Sequence, residues 1–220
     1  MRLLLLRHGQ TPSNVRGLLD TAGPGPGLTA LGERQAAAVP HALRDRQVDA
    51  IAVSPLVRTS LTAAPLARAR GIEPLVVPGL QEIEAGDLEM AGAHEAHFSY
   101  LGTVFAWARG DVARPMPGGL DGRAFFGRYD EAVAKIAARG WESVVVVSHG
   151  AAIRTWASAR VAGVDVDRVE RATLANTALV EIDGDPDTGW RLVAWGAHPV
   201  GGRGLDAPAA DDPTGEPIDE

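Results

Sequence analysis

The chain contains no cysteine, which excludes disulfides, thiolate nucleophiles and cysteine-bound zinc together. It has no excess of basic charge: with a formal net charge of −7 it presents no broadly cationic face, so nucleic acid is not expected as a partner. Long apolar runs are missing too. The N-terminal run Leu3-Leu4-Leu5-Leu6 is far shorter than a signal-peptide core or a membrane span. A cytoplasmic, membrane-independent protein is therefore the expectation. Two familiar motif chemistries also fail. Gly23-Pro24-Gly25-Pro26-Gly27 lacks the Lys-Ser/Thr ending of a phosphate loop and does not join a strand directly to a helix. His94-Glu95-Ala96-His97 lacks the His-Glu-x-x-His spacing that sets two imidazoles on one helix face, so no metal site is expected, and no other cofactor is implied.

At 220 residues, 45% hydrophobic and 22% charged, the chain has an ordinary globular balance and can bury one substantial core. Short Val/Leu/Ile runs alternate with longer Ala-, Leu- and Arg-rich segments. That pattern predicts an α/β fold, a three-layer α/β/α sandwich around a mainly parallel sheet. The four leucines read as a strand buried on both faces, and the strand ends abruptly on Arg7-His8-Gly9. Val144-Val145-Val146-Val147-Ser148 repeats this arrangement and delivers His149-Gly150 before a helix-like segment. If both strands lie in one parallel sheet, the two histidines emerge at the same edge and flank a single small ligand.

Between these strands, residues 11–28 read as a long loop. Thr29 is a candidate N-cap for a helix running to about Arg46, and residues 48–53 read as a strand. Ser54-Pro55 predicts a capped helix start with proline in its first turn, and Pro65 should bend or interrupt that helix before Gly71. Arg58 falls in the opening turn, where the helix dipole disfavours a cation, so either an anion faces it or it is simply exposed to solvent; the local sequence does not choose. Further on, residues 73–77 suggest a strand and residues 90–110 and 125–139 helices. Residues 177–182 and 190–195 suggest two strands joined through Asp183-Gly184-Asp185-Pro186. Arg154 reads as a helix-surface or packing arginine. One domain is expected over residues 1–198. Residues 199–220 form an acidic Pro/Gly-rich tail with few large apolar groups, expected to be mobile unless a partner holds it.

Arg7-His8-Gly9-Gln10-Thr11 with Asn14, the segment LTALGERQA, Arg58 in SPLVRT, an acidic loop at Glu82, and VVVVSHG stand at separations that resemble the histidine phosphatase superfamily, in its phosphoglycerate mutase-like branch. The likeness covers roughly residues 2–195. It implies a metal-independent phosphomonoesterase acting on a small phosphorylated metabolite through a phosphohistidine. Phosphoglycerate mutase-type transfer and a non-catalytic phosphate-binding regulator are the alternatives. By the same resemblance His8 is the nucleophile, and Arg7, Arg58, Asn14, His149 and the Gly150 amide bind the phosphoryl group. Glu82 is the acid-base residue, with Glu84 and Glu89 as rivals in the same loop; position alone does not choose among them. Two stretches depart from relatives: Gly86-Asp87-Leu88-Glu89-Met90 stands where many carry Trp-Glu-Gly, and Pro117-Gly118-Gly119-Leu120-Asp121 where many carry Pro-Gly-Gly-Glu-Ser. Both lie where substrate selection is expected. The sequence does not set the oligomeric state.

Overall fold

In the computed structural model, residues 1–207, 212, 214 and 215 are described. Seven strands form one sheet: β1 (Arg2–Arg7), β2 (Ala50–Val53), β3 (Leu75–Val76), β4 (Ser143–Ser148), β5 (Val161–Ala162), β6 (Leu179–Asp185) and β7 (Gly189–Trp195). Their spatial order is β3-β2-β4-β1-β6-β7-β5, and β6 alone runs against its neighbours. The leucine and valine runs are adjacent and parallel, with Leu3 opposite Val144 and Arg7 opposite Ser148. Both are apolar throughout because both faces are covered, and the two-residue period of a strand divides them between two cores.

Among the described residues seven α-helices accompany the sheet: α1 (Pro12–Val15), α2 (Ala30–Ala42), α3 (Val57–Arg70), α4 (His94–Ala108), α5 (Gly122–Ala137), α6 (Gly150–Arg160) and α7 (Val166–Glu170). Leu4, Leu6, Val145 and Val147 pack on Val39 of α2 and Leu66 of α3. Leu3, Leu5, Val144 and Val146 join the larger core with Phe105 of α4, Tyr129 of α5 and Trp156 of α6. The expected three layers are present. No helix among the described residues is long and apolar enough to cross a membrane.

Several local expectations are corrected. The loop after His8 contains α1, because Thr11 and Asn14 form a reciprocal capping box around Pro12. Thr29 does cap α2, accepting from the Gly32 amide at 3.0 Å, but the helix ends at Ala42. Ser54 does not cap α3. Leu56 holds the N-cap position without a side-chain bond, while the Ser54 hydroxyl, two residues ahead of it, accepts from the Leu56 amide at 3.2 Å and also meets His149 Nε2. Pro65 does not end α3, which continues to Arg70 and stops where Gly71 turns left-handed at φ 63°. Residue preference yields here to the packing of Ala63, Leu66 and Ala67 against the sheet. The late hairpin turns at residues 186–188, with Asp185 accepting from the Asp187 and Thr188 amides. β5 and α7 have no clear counterpart in the sequence pattern, being too short to show a period.

Candidate active site

The parallel register of β1 and β4 places both histidines at one sheet edge, and the His8 amide donates to the Ser148 carbonyl at 3.0 Å. Their ring centroids lie 5.2 Å apart at 59°. His8 is buried, and its Nδ1 sits 2.8 Å from the Gly9 carbonyl, an acceptor only. Nδ1 therefore carries the proton, and the lone pair resides on Nε2. Burial, then Arg58 and Arg7, hold the His8 pKa well below the usual imidazole value, so the ring is neutral near pH 7.

Strand β1 needs close support to carry this ring. A Cβ on Gly32 would lie 2.2 Å from the Gln10 carbonyl oxygen, so α2 abuts the segment after His8 only because residue 32 has no side chain. On the other side, Asn176 donates to the His8 carbonyl at 3.1 Å, and the Thr177 amide reaches the Arg7 carbonyl at 3.1 Å. Thr177 is buried at φ 57°, an unfavourable backbone for a β-branched residue. These two residues escape sequence reading because residue 177 was expected to open a strand, whereas β6 begins at Leu179.

Arg58 projects from the first turn of α3, as expected, and reaches the centre. Its Nε donates to His149 Nδ1 at 3.3 Å and its Nη2 to the Asp20 carbonyl at 3.0 Å. The Gly/Pro loop lies over this helix start, where Pro24 accepts from the Val57 amide at 3.0 Å. A guanidinium can only donate, so His149 Nδ1 is unprotonated and its Nε2–H points to Ser54 Oγ, 2.7 Å away. His149 was expected to donate to a ligand. Instead both ring nitrogens are engaged, and in this arrangement it positions Arg58.

Arg7 uses Nη1 on the Leu174 carbonyl at 2.8 Å and Nη2 on Asp212 and Thr214. Arg7 Nε and Arg58 Nη1 are buried N–H donors with no partner among the described residues. An unmet buried donor costs on the order of 1–3 kcal/mol, more when charged, and both guanidinium groups lie near enough to His8 to depress its pKa, so the surroundings of His8 suit an anion.

Glu82 is buried at 1% exposure, and its carboxylate accepts from the amides of Ile83 (2.9 Å), Ala151 (3.1 Å) and Ala152 (2.8 Å). It thus caps α6 from outside the helix. Burial raises its pKa, while the three amides and Arg58 oppose the rise. Its two rivals are placed differently. Glu84 is exposed beside Arg128, and Glu89 is spent on the Thr21 side chain and the amides of Thr21 and Ala22. His8, Asn14, Arg58 and Glu82 border one small cavity, joined by Asp20 and Thr214, which sequence reading missed. Asn14 Oδ1 accepts from the Thr11 amide at 2.9 Å and the Thr11 hydroxyl at 3.0 Å, which closes the turn at the start of α1.

Other singled-out residues find structural work. His97 Nε2 meets the Gly17 carbonyl at 2.7 Å. Arg154 is not on the surface: fully buried, it donates to the Val169 and Glu170 carbonyls and lies over the Phe105 ring. The two departing stretches touch each other, the Asp87 amide donating to the Pro117 carbonyl at 2.8 Å.

The sequence profile of the Histidine phosphatase superfamily (branch 1) matches residues 3–198. A PE-PGRS family protein of Mycobacterium tuberculosis is 40% identical over 216 residues, covering 91% of this chain, and the chain spans 37% of that protein's length. The adenosylcobalamin/alpha-ribazole phosphatase of Escherichia coli is 31% identical over 68% of this chain and 73% of its own. The solved structure of a mycobacterial glucosyl-3-phosphoglycerate phosphatase superposes with a TM-score of 0.72 at 28% identity, covering 90% of this chain and 99% of that one. Paired histidines on parallel strands, with an arginine from each flank and a buried glutamate, sit inside the matched region, and the chain belongs to the histidine phosphatase superfamily, branch 1.

Proposed function

We propose that this chain is a metal-independent phosphomonoesterase that hydrolyses small phosphorylated metabolites through a phosphohistidine. The observation that carries the reading is a neutral His8, its lone pair on Nε2, that borders one cavity with Asn14, Arg58 and Glu82 while the Arg58 and Arg7 cations oppose its protonation. In the first step Nε2 attacks phosphorus, the bond to the ester oxygen breaks, and protonated Glu82 gives its proton to the leaving alkoxide. In the second, Glu82 takes a proton from water as its oxygen attacks phosphorus and releases His8. Arg7, Arg58, the Asn14 amide and the Gly150 N–H neutralise the equatorial oxygens. When the phosphoryl group draws Arg58 away, His149 Nδ1 is freed to take up a proton and donate as well. Phosphatase activity in the relatives named above supports the substrate class. A cytoplasmic location belongs to the same reading, since phosphorylated metabolites are anions that do not cross membranes unaided.

The test is hydrolysis of p-nitrophenyl phosphate and a panel of phosphorylated metabolites in the presence of chelator, with rapid-quench mass spectrometry of the protein. A transient adduct of one phosphoryl group, absent in His8→Ala, is expected. A silent wild-type enzyme against the whole panel, or an active His8→Ala, would overturn it. Isomerisation of 3-phosphoglycerate that outruns hydrolysis when a bisphosphoglycerate is added would assign the mutase activity instead.

A further inference from the structure

The cavity bordered by His8, Asn14, Arg58, Glu82 and Thr214 measures about 10 Å³, room for no more than one water. A phosphoryl group cannot enter it as it stands. Of these lining residues Thr214 alone comes from the C-terminal segment, beyond the matched region of residues 3–198. Asp212 and Thr214 are each 7% exposed, and both bond Arg7 through Nη2. The segment is also held through its backbone. The Gly215 carbonyl accepts from the Leu174 amide at 2.7 Å, and the Thr214 carbonyl from Arg154 Nη1 at 3.3 Å. The seat is close-fitting at two glycines. A Cβ on Gly215 would fall 1.5 Å from Arg7 Nη1, and one on Gly150 would fall 2.4 Å from the Thr214 carbonyl oxygen.

A carboxylate and a hydroxyl thus lie on the face of Arg7 that a forked phosphate contact would use. On the outer side of Asp212, a second cavity of about 470 Å³ is bordered by Arg7, Asn14, Asn176, His198, Asp206 and Asp212 itself. Asn14 borders both cavities, so withdrawal of Asp212 and Thr214 would join them into a space fit for a small metabolite.

We propose that Asp212, Thr214 and Gly215 form an autoinhibitory strap, a built-in anion that occupies Arg7 and closes the phosphoryl site until a phosphomonoester displaces it. This rests on the reading of the site given above. Substrate binding and strap release compete for one guanidinium, so the strap raises KM and weakens phosphate binding while leaving the chemical step alone.

Two variants test it: a chain ending at Ala207, and full-length Asp212→Asn, which keeps the shape of the strap but removes its charge. KM for p-nitrophenyl phosphate and Kd for inorganic phosphate by calorimetry are expected to fall roughly tenfold in both, as losing a buried charge-assisted hydrogen bond requires, with kcat within about twofold. A synthetic peptide of residues 208–220 should inhibit the shortened chain competitively with substrate. If the shortened chain fails to fold, Asp212→Asn carries the test. Unchanged KM and Kd, or a fall in kcat/KM that marks the segment as a support for Arg7, would overturn the strap alone. If neither wild type nor variants bind phosphate or hydrolyse any ester, the phosphoryl-site reading fails, and the strap with it.

Discussion

At the residue scale, the environment of each group divides the work. His8 and Glu82 are both buried, yet burial acts on them in opposite senses, since it always disfavours the charged form. It leaves the imidazole free of its proton and the carboxyl able to keep one. Glu82→Gln is therefore expected to lower kcat by roughly 10²–10⁴-fold on alkyl phosphates, whose leaving oxygen needs a proton. The loss should be much smaller on p-nitrophenyl phosphate, whose phenolate leaves unassisted; equal losses on both would count against Glu82 as the acid. The pH profile of kcat/KM follows from the same shifts. Its acid limb, set by His8, should lie well below pH 6.5, and Arg58→Gln should move that limb upward by removing a cation that opposes protonation.

At the element scale, the site depends on how strand ends and helix starts are held. α2 meets the segment after His8 across Gly32, so Gly32→Ala should cost about 1–3 kcal/mol by overpacking and lower kcat with it. Urea unfolding and initial rates measured on one preparation check both effects. The Asp121 cap of α5 accepts from the Ala124 amide at 3.1 Å, and Asp121 is not among the residues that border the cavity beside His8. Asp121→Ala is expected to cost about 1 kcal/mol of stability with kcat unchanged, and a large activity loss would show that α5 shapes the site more directly.

At the scale of the whole molecule, two buried neutral histidines couple stability to pH. His149, like His8, is held well below the ordinary imidazole value, chiefly by burial and then by Arg58. As pH falls through about 6.5, the unfolded chain takes up protons on both residues while the folded chain does not. Stability is therefore full above that pH and lost on descent toward the depressed folded values, with a slope of up to ~1.4 kcal/mol per pH unit for each histidine. Urea midpoints at about pH 7.5 and about 5.5 should show this fall, and a His8→Asn/His149→Asn double variant should flatten it. Saturating phosphate should protect the wild type by about 2.7 kcal/mol at a hundredfold excess over Kd.

The amino-acid sequence by itself determined the two buried strands, the layered α/β architecture and the chemistry carried at the strand ends. These follow from contiguous patterns: unbroken apolar runs, glycine beside histidine, arginine in a helix's first turn. It also marked an acidic loop without choosing among Glu82, Glu84 and Glu89, because exposure and amide contacts are not properties of spacing. Tertiary structure decided that Glu82 is the buried one, its charge met by the first turn of α6. It moved the start of α3 past Ser54 and brought His149 to that hydroxyl, and it set Asn176 and Thr177 behind His8. It also brought Asp212 and Thr214 to Arg7, across more than 200 residues of chain. Local patterns fix which faces are buried, whereas the partner of a buried charge depends on which distant segments the closed fold delivers to it.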